Sequence, residues 1–108
     1  MRDAVLAATH SAIPVVVSAV TLAEVLRGGP RDAAVHRLLK LCQVESVTAG
    51  HGRAAGELLG RTRRSDTVDA VVAVTADALP ATVRILTSDP KDLSALTDGM
   101  PDVSVEAV

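Results

Sequence analysis

Apolar positions along this chain alternate between two rhythms. Short β-branched runs at Val15, Val16 and Val17, at Val44–Thr48, at Val83–Thr87 and at Val103–Ala107 have the length and residue type of buried strands. The stretches between them carry apolar residues at helical spacing. Residues 2–11 predict a helix with Val5, Leu6 and Ala8 on one face, broken at Ile13-Pro14 because proline disfavours helical geometry in the residue before it. Ser18–Arg27 predicts a second helix, closed by Gly28 and Gly29. Pro30 opens a third, reaching about Leu41, with Val35, Leu38 and Leu39 on its stripe. His51–Arg61 predicts a helix with Gly52, Gly56 and Gly60 on one face, a face suited to close approach by another helix. Asp66–Leu79 is apolar on most sides, which predicts burial. A last short helix is expected from Pro90 to Thr97.

Strands alternating with helices predict a parallel sheet covered on both sides, an α/β protein. The pattern begins with a helix, although the first helix of a doubly wound sheet normally crosses over from a preceding strand. With 108 residues and 48% hydrophobic content, one domain and one core are expected. The chain has no Phe, Tyr or Trp, so its core must be packed from Val, Leu, Ile and Ala. That absence also excludes aromatic stacking as a way of holding single-stranded nucleic acid. A net charge of −2 gives no general attraction for polyanions, so a nucleic-acid contact would need a local basic patch. Cys42 is the only cysteine, which excludes an intrachain disulfide and suits the cytoplasm. No apolar run is long enough for a membrane span, and the first residues lack the features of a signal peptide.

The candidate chemistry lies in the acids. Glu24, in TLAEVL, has an ordinary explanation as the acid of a capping box begun by Thr21. It also stands among Leu22, Ala23, Val25 and Leu26, where an acid needs a partner if buried. Asp69 shares a helical face with Val72, Ala73 and Ala76, and its ordinary explanation is a first-turn acid at the positive end of a helix dipole. Asp89 follows the strand at 83–87 and precedes Pro90, so it reads as an N-cap, with Asp92 in the first turn. The carboxyl end of a parallel strand is also where ligands collect. Clustered carboxylates with Thr or Ser hydroxyls are the donor set for Mg²⁺ or Mn²⁺. Arg61, Arg63 and Arg64 form the one dense basic cluster, suited either to substrate phosphates or to a solvated loop. His10, His36 and His51 have no metal-ligand spacing, and Cys42 reads as a small core residue.

Three stretches, VVVSAVTLAEVLRGG, SDTVDAVVAVTADAL and VRILTSDPKDLSAL, followed by a short final strand, together resemble the PIN domain family, and within it the toxins of bacterial toxin–antitoxin modules (the VapC type). The resemblance runs from about residue 2 onward. It implies a single domain over residues 1–108, a three-layer α/β/α sandwich with a parallel sheet, and an endoribonuclease dependent on Mg²⁺ or Mn²⁺. Glu24, Asp69 and Asp89 match the family's catalytic, metal-holding acids, and Asp92 a further, more variable acidic position. Thr87 and Ser88 match the small hydroxyl residues beside the last motif's acid. Implied partners are an RNA substrate, a cognate antitoxin and a second copy of the chain in a homodimer, with no membrane.

One departure shapes the expectation. PIN domains normally open with a strand ending in an aspartate that is a principal metal ligand, and this sequence shows no such strand. Asp3 does not replace it, since it lies in the expected first helix. Beside the ribonuclease reading therefore stands a catalytically inactive PIN-like interaction module. A phosphoacceptor receiver domain is a weaker third, because the acidic pair it needs is absent and Lys91 is only loosely placed.

Overall fold

The structure, a computed structural model, describes residues 15–87 and 90–107. The helix expected over residues 2–11 lies outside the described residues, as do Ser88 and Asp89. The chain divides into two compact units, Met1–Ser46 and Val47–Val108.

In the first unit the order is β1 (Val16–Ser18), α1 (Ala19–Val25), α2 (Asp32–Leu39) and β2 (Gln43–Glu45). β1 and β2 pair in parallel, with Val16 opposite Gln43 and Ser18 opposite Glu45. Ser18 ends the strand and begins the helix. It is extended, and its Oγ accepts the Val20 N–H at 3.3 Å. The expected capping box at Thr21 and Glu24 is not what starts this helix. The cap falls three residues earlier because Ser18 can satisfy the helix's first donors where the strand stops.

The α1–α2 corner is built on a carboxylate. Asp32, buried at 8% exposure, accepts the Arg27 N–H through both oxygens, at 3.2 and 2.9 Å, and the Gly28 N–H at 2.7 Å. Gly28 supplies the positive φ (83°) that lets the chain turn there. The Arg27 guanidinium returns to α1, donating to the carbonyls of Ala23 and Leu26 at 2.8 and 3.0 Å. α1 therefore ends at Val25, short of Arg27, because the backbone N–H groups of 27 and 28 are spent on Asp32.

The second unit holds α3 (Ala49–Thr62), α4 (Thr67–Ala78), β3 (Val83–Thr87), α5 (Pro90–Leu96) and β4 (Val103–Ala107). β3 and β4 are parallel, Val83 opposite Val103 and Thr87 opposite Ala107. α4 packs against α3, β3 and α5. Its Ala70 and Ala73 are wholly buried and Val71, Val74, Thr75 and Ala76 nearly so. Ala55 and Leu58 of α3, Ile85 of β3, and Leu93 and Leu96 of α5 complete the core. The buried Thr75 hydroxyl donates to the Val71 carbonyl at 2.7 Å, so no buried polar atom is orphaned there. These two parallel pairs and the alternating helices bear out the α/β class read from the sequence.

The glycine face of α3 departs from expectation. Gly52, Gly56 and Gly60 are all exposed, and a Cβ placed on any of them meets no described atom within 4 Å. α3 instead packs through Ala55 and Leu58. Gly56→Ala is therefore expected to raise stability by about 1 kcal/mol, by removing the propensity cost of an interior glycine. The check is thermal melting, where a fall in place of a rise would show that this face is packed against something.

Cys42 is half-buried, with Sγ 3.5 Å from the Leu38 carbonyl, and burial pushes its thiol pKa up. Ionising it costs more in the folded chain than in the unfolded one. The corresponding stability is present below the unfolded thiol's pKa and is lost as pH rises through the folded value. Alkylation by iodoacetamide should accordingly show a pH midpoint higher in the folded chain than in the urea-unfolded chain.

Candidate active site

The polar residues of the second unit gather where its helices begin. α3 ends at Thr62, and the chain must reverse before α4 can start four residues after Arg63. Arg63 makes that reversal in the left-handed region (φ 56°, ψ 39°), with its N–H and that of Arg64 both donating toward the Leu59 carbonyl. This is the position where helices usually place glycine. Arg61 and Arg63 are exposed, whereas Arg64 is half-buried.

Arg64 is turned inward. Its Nε donates to Asp66 Oδ2 at 3.2 Å and its Nη2 to Asp92 Oδ1. Asp66 is the N-cap residue of α4, yet its side chain makes no capping hydrogen bond to that helix. Its carboxylate serves the guanidinium instead. Asp92 lies in the first turn of α5. One arginine thus links the start of α4 to the start of α5.

Asp69 lies in the first turn of α4, half-buried, on the side of the helix that carries the buried Ala73 and Ala76. Thr87 is the last residue of β3 and half-buried. Neither is without a partner. Asp69, Asp92, Thr87 and the arginines therefore belong to one unit, and the first turns bearing Asp69 and Asp92 are joined through Arg64. Ser88 and Asp89, both expected site residues, lie outside the described residues. Glu24 belongs to the first unit, where it is exposed near the end of α1. The expectation that it is an acid among buried apolar residues does not hold, because Ala23 and Val25 are exposed with it.

Carboxylate oxygens are the donors that Mg²⁺ and Mn²⁺ take, so the chemistry of Asp69 and Asp92 fits such an ion. Among the described residues no three His, Cys, Asp or Glu side chains come together as a metal-holding group. His51 has a different use. Thr48 Oγ1 accepts the His51 N–H and His51 Nδ1 accepts the Thr48 N–H, each at 3.1 Å, closing a capping box at the start of α3.

The PIN domain family model matches residues 1–97, nine-tenths of the chain and both units. The chain belongs to the PIN domain family. No curated protein and no solved structure matches it. PIN domains are a nuclease family whose members commonly bind RNA and generally use Mg²⁺ or Mn²⁺. Glu24, Asp69 and Asp92 lie within the matched residues. No described helix is long and apolar enough to cross a membrane.

Sequence reading missed Asp32, Arg64 as an internal ion-pair residue, and the left-handed Arg63. Asp32 had a weak signal, since an acid shortly after Gly-Gly-Pro can fold back on the loop's N–H groups. For Arg63, replacement by glycine removes a left-handed penalty of about 1 kcal/mol, partly offset by glycine's entropy in the unfolded chain. Arg63→Gly is therefore expected to melt at or slightly above the parent's temperature, whereas Arg63→Val, β-branched, melts clearly lower.

Proposed function

We propose that this PIN domain is a metal-dependent endoribonuclease, the toxin component of a toxin–antitoxin module, with Asp69 at the centre of its site. The observation that carries this reading is Asp69 itself. It is a half-buried acid in the first turn of the most buried helix of the second unit, within a stretch matched by the PIN family. A helix's first turn favours a carboxylate through the exposed N–H groups and the dipole.

Asp69 would hold Mg²⁺ or Mn²⁺ in the second unit, with Asp92 assisting and Asp89 the further acid that the sequence resemblance supplies. When bound, such an ion supplies an activated water and stabilises the departing oxygen of a phosphodiester. The chain's own residues have separate tasks. Arg61, exposed in the last turn of α3, and Arg63, exposed just past its end, offer cations to the RNA backbone, as phosphate contacts position a substrate without reading its sequence. Thr87 offers a hydroxyl at the end of β3. The expected partners are RNA, an antitoxin that restrains the nuclease, and a second copy of the chain, in the cytoplasm.

A second reading, a PIN-like interaction module without activity, has one observation in its favour: Asp92 is already neutralised by Arg64. Cleavage of a mixed RNA substrate with Mn²⁺ separates the two. The parent is expected to cleave, and Asp69→Asn, which keeps the shape but removes the charge, to lose more than about tenfold in rate. Failure of the parent to cleave or to bind Mn²⁺ by calorimetry supports the interaction module.

A further inference from the structure

We propose that Arg64 is a positioning residue that clamps the first turn of α5 to the start of α4, with Asp92 as its anchor. The proposal refines the metal-site reading and rests on it only for the ion-binding half of its test.

Three observations converge. First, Arg64 engages two carboxylates from two elements at once, Asp66 through Nε and Asp92 through Nη2. A guanidinium presents its donors as a rigid planar fork, which suits bridging in a way a lysine's point charge does not. Second, the three side chains are each only about a third exposed, at 29%, 35% and 32% for Arg64, Asp66 and Asp92. A shielded, hydrogen-bonded network of charges is worth more than isolated surface pairs. Third, the local chain gives up other stabilisation to make this network. Asp66 caps α4 in backbone position but not with its side chain, and Arg63 takes a left-handed conformation immediately before Arg64. Both features are explained if the corner is shaped to aim Arg64 at α5.

The consequence for the acids is specific. Arg64 engages Asp92 through one oxygen, Oδ1, so the carboxylate anchors the guanidinium and keeps its other oxygen. Asp92 thus serves the site through Arg64, by holding the helix start that follows β3 in place against the helix start that carries Asp69. Positioning of this kind is what keeps an acid constellation within the tolerance a metal site needs.

The test uses the full chain with Arg64→Gln, Asp92→Asn, the double variant, and the charge exchange Arg64→Asp with Asp92→Arg. In metal-free buffer, each single change is expected to lower the melting temperature by on the order of 5 °C, with the double variant no worse than the poorer single. Additive losses would overturn the clamp. In Mn²⁺ calorimetry, Arg64→Gln and Asp92→Asn are each expected to weaken binding by about tenfold, without further loss in the double, and the charge exchange to recover it. If Arg64 does not position the site, Arg64→Gln binds Mn²⁺ as well as or better than the parent, and the charge exchange does not recover what Asp92→Asn loses. A parent that binds no Mn²⁺ defeats the metal reading alone. The melting cycle then decides the clamp.

Discussion

Everything in the second unit depends on how closely the other elements can approach α4, Thr67–Ala78. A chain with no aromatic residue cannot fill space with large rings. Its core must gain density by bringing backbones together over small side chains. Ala70, Ala73 and Ala76 recur every third residue of α4 and are all but inaccessible, flanked by Val71 and Val74. α3, β3 and α5 all pack on this helix. Each alanine gives little apolar area, about 0.8 kcal/mol per methyl-sized group, but allows contact distances that a leucine would forbid. Such a core has little slack, because enlarging a closely packed position forces its neighbours to move.

That packing determines where charge can go. Buried on most sides, α4 exposes little beyond its ends, and the acids sit at its start: Asp66 at the cap and Asp69 in the first turn. α5 repeats the arrangement with Asp92. Three carboxylates at two neighbouring helix starts each gain from a helix dipole and repel one another. Arg64 offsets this by drawing two of them, Asp66 and Asp92, onto one guanidinium. Ion pairing and site building are thus one arrangement, in which the corner that ends α3 also organises the charges of α4 and α5.

The elements were legible because their signals are local. The strand at Val83–Thr87 is β-branched and bounded by polar turns, and Thr67–Ala78 is apolar all round, so both fell close to their expected limits. Helix ends were less legible. Thr21-x-x-Glu24 satisfies the capping-box pattern, yet Ser18 caps α1, since pattern alone does not say where the preceding strand stops. A glycine stripe signals close approach only if a neighbour is there, and along α3 none of the described residues is. The least legible features were those joining residues far apart in the chain. Arg64 and Asp92 are 28 residues apart, and nothing in RTRRS says that the last arginine, and not its neighbours, turns inward. Asp69 was legible as a site candidate because its anomaly, an acid on an apolar face, is visible in one helix.

A family match and an ion-pair network constrain the site in different ways. Membership in the PIN family covers the stretch that holds Glu24, Asp69 and Asp92, since all three lie inside residues 1–97. It does not distinguish an acid that binds from an acid that holds its neighbours still. The ion pair adds what membership does not: Asp92 holds Arg64 through one oxygen, so it anchors a neighbouring element as well as offering a carboxylate to the site. Asp69 and Asp92 look alike in sequence, each an acid in the first turn of a short helix beside the core. The corner at Arg63, where the backbone takes a conformation unfavourable for arginine, immediately precedes the residue that takes hold of Asp92.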